Sequence, residues 1–154
     1  MRREQLLSRI ETAWEAFHAS YAGLSDECLL ELGVAGDWSV KDLVAHVSWW
    51  EEEALTHLPH IMAGGRPPRY SVAYGGIDAF NGLMAARKRG LSLTEVLEQA
   101  RATHQRLIAF VASVPANQFV TETRFRRRLR LDTYSHYPIH TEAIRRWREQ
   151  HERG

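Results

Sequence analysis

Eight histidines fall within 154 residues, and two of them, His136 and His140, stand four apart. On a helix that spacing puts both imidazoles on one face, one turn from each other. Ala143, Ile144 and Trp147 continue the same face and are apolar, so the pattern predicts two imidazoles turned toward a core. Burying an imidazole without a polar partner is costly, and a divalent cation taking one lone pair from each ring would satisfy both. A third ligand from another helix, with one position left open, is the layout of a catalytic rather than a structural zinc site. His46 is the best-placed third residue, because it interrupts a second apolar stripe of Leu43, Val47, Trp50, Ala54, Leu58 and Ile61. The same three positions also suit core or rim histidines satisfied by backbone groups and water, and spacing alone does not separate the two readings.

The other chemistry-bearing residues offer less. His104 falls on the inner stripe of a third helix, as a pocket residue or as a satisfied histidine at the core edge. His57 and His60 flank Pro59 on a solvated rim, and His18 and His151 read as exposed. Arg124, Arg126, Arg127, Arg128 and Arg130 could meet a phosphate, but with only Phe125 between them they read as a solvated surface connection. Glu51 to Glu53 read as a wet face, with Glu53 near enough in sequence to approach His46. Trp49 and Trp50 diverge by about 100 degrees on a helix, which sets one of them in a cleft or interface. No phosphate-binding glycine loop, nucleophile elbow or paired-cysteine motif is present, and Cys28 has no identifiable activating partner.

Four amphipathic segments must position these residues. Leu6, Leu7, Ile10, Trp14, Phe17 and Tyr21 recur at helical spacing and predict a first helix over residues 3–21. Ser39 with Asp42 predicts the start of a second, with Pro59 near its end as a kink or stop. Glycines and prolines over 64–76 predict a loop, followed by a short helix over 77–89. Ser92 and Glu95 form a capping-box pattern ahead of Val96, Leu97, Ala100, His104, Leu107, Ile108 and Val111, and Pro115 ends that helix. Residues 121–131 alternate nearer to period two and predict an extended connection. Asp132 then caps the last helix, which carries His136 and His140. The sum is an all-α, four-helix bundle, where sites are commonly built between facing helices.

Composition narrows the partners. The length suits one domain over residues 1–154, and 44% apolar residues with 25% charged allow an ordinary core. A formal charge of +1 gives no overall reason to expect an anionic membrane or nucleic acid, and neither is expected as a partner. No apolar run approaches the roughly 18 residues of a membrane span. One cysteine excludes an internal disulfide and fits a reducing, cytoplasmic compartment.

Gly36-Asp37-Trp38-Ser39-Val40-Lys41-Asp42-Leu43-Val44-Ala45-His46, followed by Trp49 and Trp50, resembles the second-helix signature of the DinB-like superfamily of metal-binding four-helix bundles. Ile77-Asp78-Ala79-Phe80-Asn81 and Thr133-Tyr134-Ser135-His136-Tyr137-Pro138-Ile139-His140 are similar to its DfsB-like branch. The motifs are short, but three of them stand in the right order with the right gaps, and the resemblance covers most of the chain. The resemblance implies an up-down-down-up order, with a long crossover supplied by residues 64–92 and a short extra helix within it. It also implies metal ligation by His46, His136 and His140. Family members include small-thiol-dependent transferases and isomerases, while a related branch includes a hydrolase that detoxifies a reactive natural product.

The expected function is therefore a metal-dependent enzyme acting on a small molecule, as a hydrolase or as an S-transferase using a small cellular thiol. Zinc or nickel would be the cofactor, with Trp50, Asn81 and His104 lining the substrate pocket. The alternative is a non-catalytic stress or resistance protein that binds a small molecule or a metal. A third reading is an interaction module that forms homodimers through a tryptophan-bearing face.

Overall fold

A computed structural model describes residues 1–153. Its elements are α1 (Arg3–Tyr21), α2 (Asp26–Leu30), α3 (Val40–Met62), α4 (Tyr70–Ala73), α5 (Ile77–Lys88), α6 (Leu93–Ser113), a 3-10 turn (Ala116–Gln118), α7 (Arg124–Asp132) and α8 (Tyr137–Arg153). No strand occurs among the described residues; Ala35 and Trp38 make one isolated bridge. Among the same residues no helix is long and apolar enough to cross a membrane.

The long helices start where the cap residues dictate. Ser39 Oγ accepts from the Asp42 amide at 3.1 Å while Asp42 accepts from the Ser39 amide at 3.0 Å, so two of the free N–H groups of α3 are satisfied reciprocally. Ser92 and Glu95 do the same for α6. Pro59 does not stop α3, which continues to Met62.

Contacts between named residues fix the helix directions. Arg3 at the start of α1 donates to the Val114 carbonyl beyond the end of α6, and Glu11 pairs with His104, so α1 and α6 run antiparallel. Arg9 of α1 stacks over Tyr134, just ahead of α8, and Arg148 of α8 donates to the Ser20 carbonyl, so α1 and α8 run parallel. Lys41 near the start of α3 reaches Arg89, ahead of α6, and Thr103 donates to Glu52 farther along; those two are parallel. Since α3 runs with α6 and α8 runs with α1, α3 and α8 are antiparallel, and they meet where His46 approaches His136 and Glu51 accepts from Tyr137. The order is up, down, down, up, and the two parallel middle helices require the crossover that α4 and α5 occupy.

Two expectations need correction. Residues 124–132 are helical, not extended: Thr123 caps the segment by accepting from the Arg126 amide at 3.1 Å, and the buried stripe is Phe125, Leu129 and Asp132. Alternation suggested itself because Leu131 is apolar, yet Leu131 is 51% exposed and the polar Asp132 takes the inward position. Asp132 consequently ends α7 rather than capping α8, which begins at Tyr137 after the turn in which the His136 amide donates to the Thr133 carbonyl at 2.8 Å. The short α2 and α4 also lie in segments that carry no helical stripe of their own.

Candidate metal centre

His46 comes from the buried face of α3, and His136 and His140 from the entry and first turn of α8. The Nε2 atoms converge: His136 lies 3.0 Å from His46 and 2.9 Å from His140. One ligating atom from each ring lies within 4.8 Å of the other two. The rings meet edge to edge, with interplanar angles of 84° between His46 and His140 and 88° between His136 and His140. His46 is wedged against Trp38 and Trp49, with centroids 5.0 and 4.9 Å away. These contacts leave its ring little freedom to turn.

Hydrogen bonding does not account for this trio. An imidazole nitrogen has one in-plane position, occupied by a proton or by a lone pair, so His136 Nε2 cannot make two ordinary hydrogen bonds at once. Nδ1 of His46 and Nδ1 of His136 are also buried, with no hydrogen-bond partner among the described residues. Burial drives the pKa of all three down, to about 2 for His46, about 3 for His136 and about 4 for His140, with mutual repulsion of the rings adding to the effect on His46 and His136. At neutral pH the site is three uncharged imidazoles, the form that binds a metal ion.

The histidines open onto a cavity of about 470 Å³ also lined by Trp50, Tyr70, Asn81, Arg128 and Asp132. Arg128 donates through Nε to Asp132 at 2.6 Å and through Nη2 to the Tyr70 hydroxyl at 2.8 Å. The Tyr70 hydroxyl in turn donates to Glu53 at 2.9 Å. Burial pushes the Asp132 carboxyl up to about 6, against the pull of Arg128. Ile77, Leu131 and Ile139 stand at the cavity, each more than half exposed.

Trp50 and Asn81, singled out from the sequence, line this cavity; His104 does not. Its ring stacks on Trp14 at 4.0 Å, and its two nitrogens face carboxylates: Glu51 at 2.7 Å and Glu11. Burial works against the imidazolium, but the bonds and charges of both glutamates outweigh it and raise the His104 pKa. Glu51, expected on a wet face, is fully buried and also accepts from the Tyr137 hydroxyl at 3.0 Å. Both tryptophans of the adjacent pair are buried, so neither offers an open face to a second copy. His18 is half-buried against Trp14 and Tyr21 rather than exposed. Arg128 and Asp132 were hidden from sequence reasoning by the extended assignment of 121–131; as a helix, their four-residue spacing would have paired them.

The arginine run is more than a solvated surface. Arg124 donates to the Gly65 carbonyl at 2.9 Å, Arg126 to the Phe119 carbonyl, and Arg130 pairs with Glu122 at 3.2 Å. These bonds tie α7 to the crossover and to the turn before it.

Residues 9–152 match the family model described as the DinB superfamily. Among solved structures, the one described as sibling lethal factor precursor, DfsB, is similar with a TM-score of 0.81 and 16% identity, over 98% of this chain and 97% of that one. An uncharacterised protein from Escherichia coli UTI89 is similar with a TM-score of 0.81 and 14% identity, over 98% and 95%. The colibactin self-resistance protein ClbS, in complex with a double-stranded DNA, is similar with a TM-score of 0.77 and 15% identity, over 94% of each chain. A search of functionally curated proteins finds no match. The expectation that nucleic acid is not a partner fails on the ClbS comparison, since a protein of this fold is bound to a DNA duplex. Net charge was the wrong ground for that exclusion: it sums over the whole surface, whereas a duplex meets only a local patch.

Proposed function

This chain belongs to the DinB superfamily, and on that basis we propose that it is a metal-dependent enzyme acting on a small molecule, with His46, His136 and His140 as the ligands of one divalent cation. The observation that carries the reading is the approach of three Nε2 atoms, which hydrogen bonding cannot satisfy. Around a tetrahedral ion with nitrogen ligands at about 2.0 to 2.1 Å, neighbouring nitrogens sit roughly 3.3 Å apart, a small expansion of the spacing here. Zinc or nickel suits an all-imidazole donor set.

A cation held there supplies Lewis acidity, acidifying a water or a small-molecule thiol so that it becomes a nucleophile at neutral pH. The chain's own residues do the rest. The imidazoles stay uncharged, and His46 is aimed by packing against Trp38 and Trp49. Trp50 and Tyr70 wall the cavity, and Arg128 and Asp132 hold each other in a partly buried ion pair at its edge. Hydrolysis and thiol transfer fit this arrangement alike, because they differ in which nucleophile enters.

Elemental analysis of protein purified without a metal-affinity tag tests the proposal. About one equivalent of zinc or nickel per chain is expected, lost in His46→Ala; a metal-free preparation that takes up neither ion on titration would sink it. A second reading follows from the DNA-bound relative: the substrate is met on or beside duplex DNA. Fluorescence anisotropy of a labelled duplex over a salt series tests it, with a salt-dependent rise expected and a flat response counting against it.

A further inference from the structure

We propose that the cavity beside the three histidines selects molecules that join an apolar body to a neutral carbonyl oxygen, and that the side-chain amide nitrogen of Asn81 is the donor that receives this oxygen. The inference rests on the cavity being the substrate site of the proposed function, and is independent of which cation is bound.

Asn81 carries the argument. Trp50 Nε1 lies 2.9 Å and Trp49 Nε1 3.3 Å from the same Asn81 side-chain atom. An indole N–H can only donate, so that atom is the amide oxygen, and the two tryptophans take both of its lone pairs. What remains is the NH2 group, a donor only, for which no protein acceptor is found among the described residues. The amide cannot turn over to offer its oxygen without stranding two buried indole N–H groups. Asn81 lines the cavity, so the polar group it presents there is fixed in kind by the adjacent tryptophans of α3.

The remaining wall specifies the rest of the ligand. Asp132 Oδ2 is engaged by Arg128 at 2.6 Å, and the Tyr70 hydroxyl accepts from the same guanidinium while giving its own proton to Glu53, so these wall groups are tied to one another. The guanidinium charge is balanced by the same Asp132, which leaves the wall without an unmatched cation and favours a neutral carbonyl over a carboxylate. Around these groups stand the Trp50 ring and the half-exposed side chains of Ile77, Leu131 and Ile139, an apolar surface suited to a hydrocarbon or aromatic body. A volume of about 470 Å³ lies within the range of sites for small organic ligands.

Benzylacetone and the primary amine of the same carbon skeleton make the test, because they differ at one group, a neutral acceptor oxygen against a positively charged, donating ammonium. Titration calorimetry on the zinc-free full chain should show benzylacetone bound about tenfold more tightly than the amine. Asn81→Asp keeps an oxygen for both indoles and replaces the NH2 group by an acceptor, so the preference should reverse while the helical circular dichroism is unchanged. A parent chain that binds the amine as tightly as the ketone, no measurable ketone binding, or an unaltered ratio in Asn81→Asp each overturns the proposal. Zinc affinity measured on the same preparations separates the two claims. A reversal in a chain without zinc affinity keeps this inference and removes the cation reading; zinc affinity without a ketone preference does the opposite.

Discussion

Replacing His46 by alanine should uncouple metal affinity from folding, and the structure sets the size of both effects. A four-ligand zinc site contributes about 10 to 16 kcal/mol, so one ligand accounts for roughly 3 kcal/mol, or about a hundredfold in affinity. The metal-free fold responds differently. Truncation removes an imidazole packed between Trp38 and Trp49, a loss on the order of 2 kcal/mol by comparison with other large-to-small core changes. It also removes a buried Nδ1 that has no partner among the described residues, which returns about 1 to 3 kcal/mol, and it relieves the crowding at His136 Nε2. The two contributions nearly cancel, so the melting temperature in the presence of a chelator should move by only a few degrees. Zinc titration against a competing chelator, with parallel thermal melts, measures both quantities. A variant that keeps the parent's zinc affinity would falsify the ligand assignment. One that loses more than about 4 kcal/mol of metal-free stability would show that His46 is a packing anchor and that the opposing contributions were misjudged.

Acid should destabilise the metal-free chain through histidines that are buried or half-buried in the fold. His18, His46, His136 and His140 all have pKa values lowered by burial, to between about 2 and about 4. As pH falls through about 6.5 the unfolded chain takes up protons that the folded one refuses. Each group then costs stability at up to about 1.4 kcal/mol per pH unit until its folded pKa is reached; urea midpoints that stay level from pH 7 to 5 would contradict this. Tyr137→Phe deletes the hydroxyl that donates to the buried Glu51 at 3.0 Å, and chemical denaturation should register a loss of about 2 kcal/mol, with a variant as stable as the parent counting against the bond. Ser39→Ala removes the cap of the helix that carries His46, for which a loss of about 1 kcal/mol in the same assay is expected.

How far the sequence alone reached follows from the range of the forces involved. Local signals carried the bundle: the 3.6-residue stripes of α1, α3 and α6 and the Ser39–Asp42 and Ser92–Glu95 caps act within a few residues of one another, so they are legible in the order of side chains. The three histidines stood out for the same reason, as polar residues on otherwise apolar stripes. Where the inward residue is polar because of a partner on the same or another helix, the pattern misleads. Asp132 turns inward because Arg128 neutralises it, and α7 is then read as extended. Glu51 is buried because His104, fifty-three positions away, and Tyr137 meet it there, although three consecutive glutamates look like a wet face. Only the packing of α3 against α8 decided that three Nε2 atoms should crowd one point, and only the fold of α5 onto α3 set the Asn81 oxygen between two indoles. Such pairings join residues remote in sequence, and their energy appears only when the chain has closed around them.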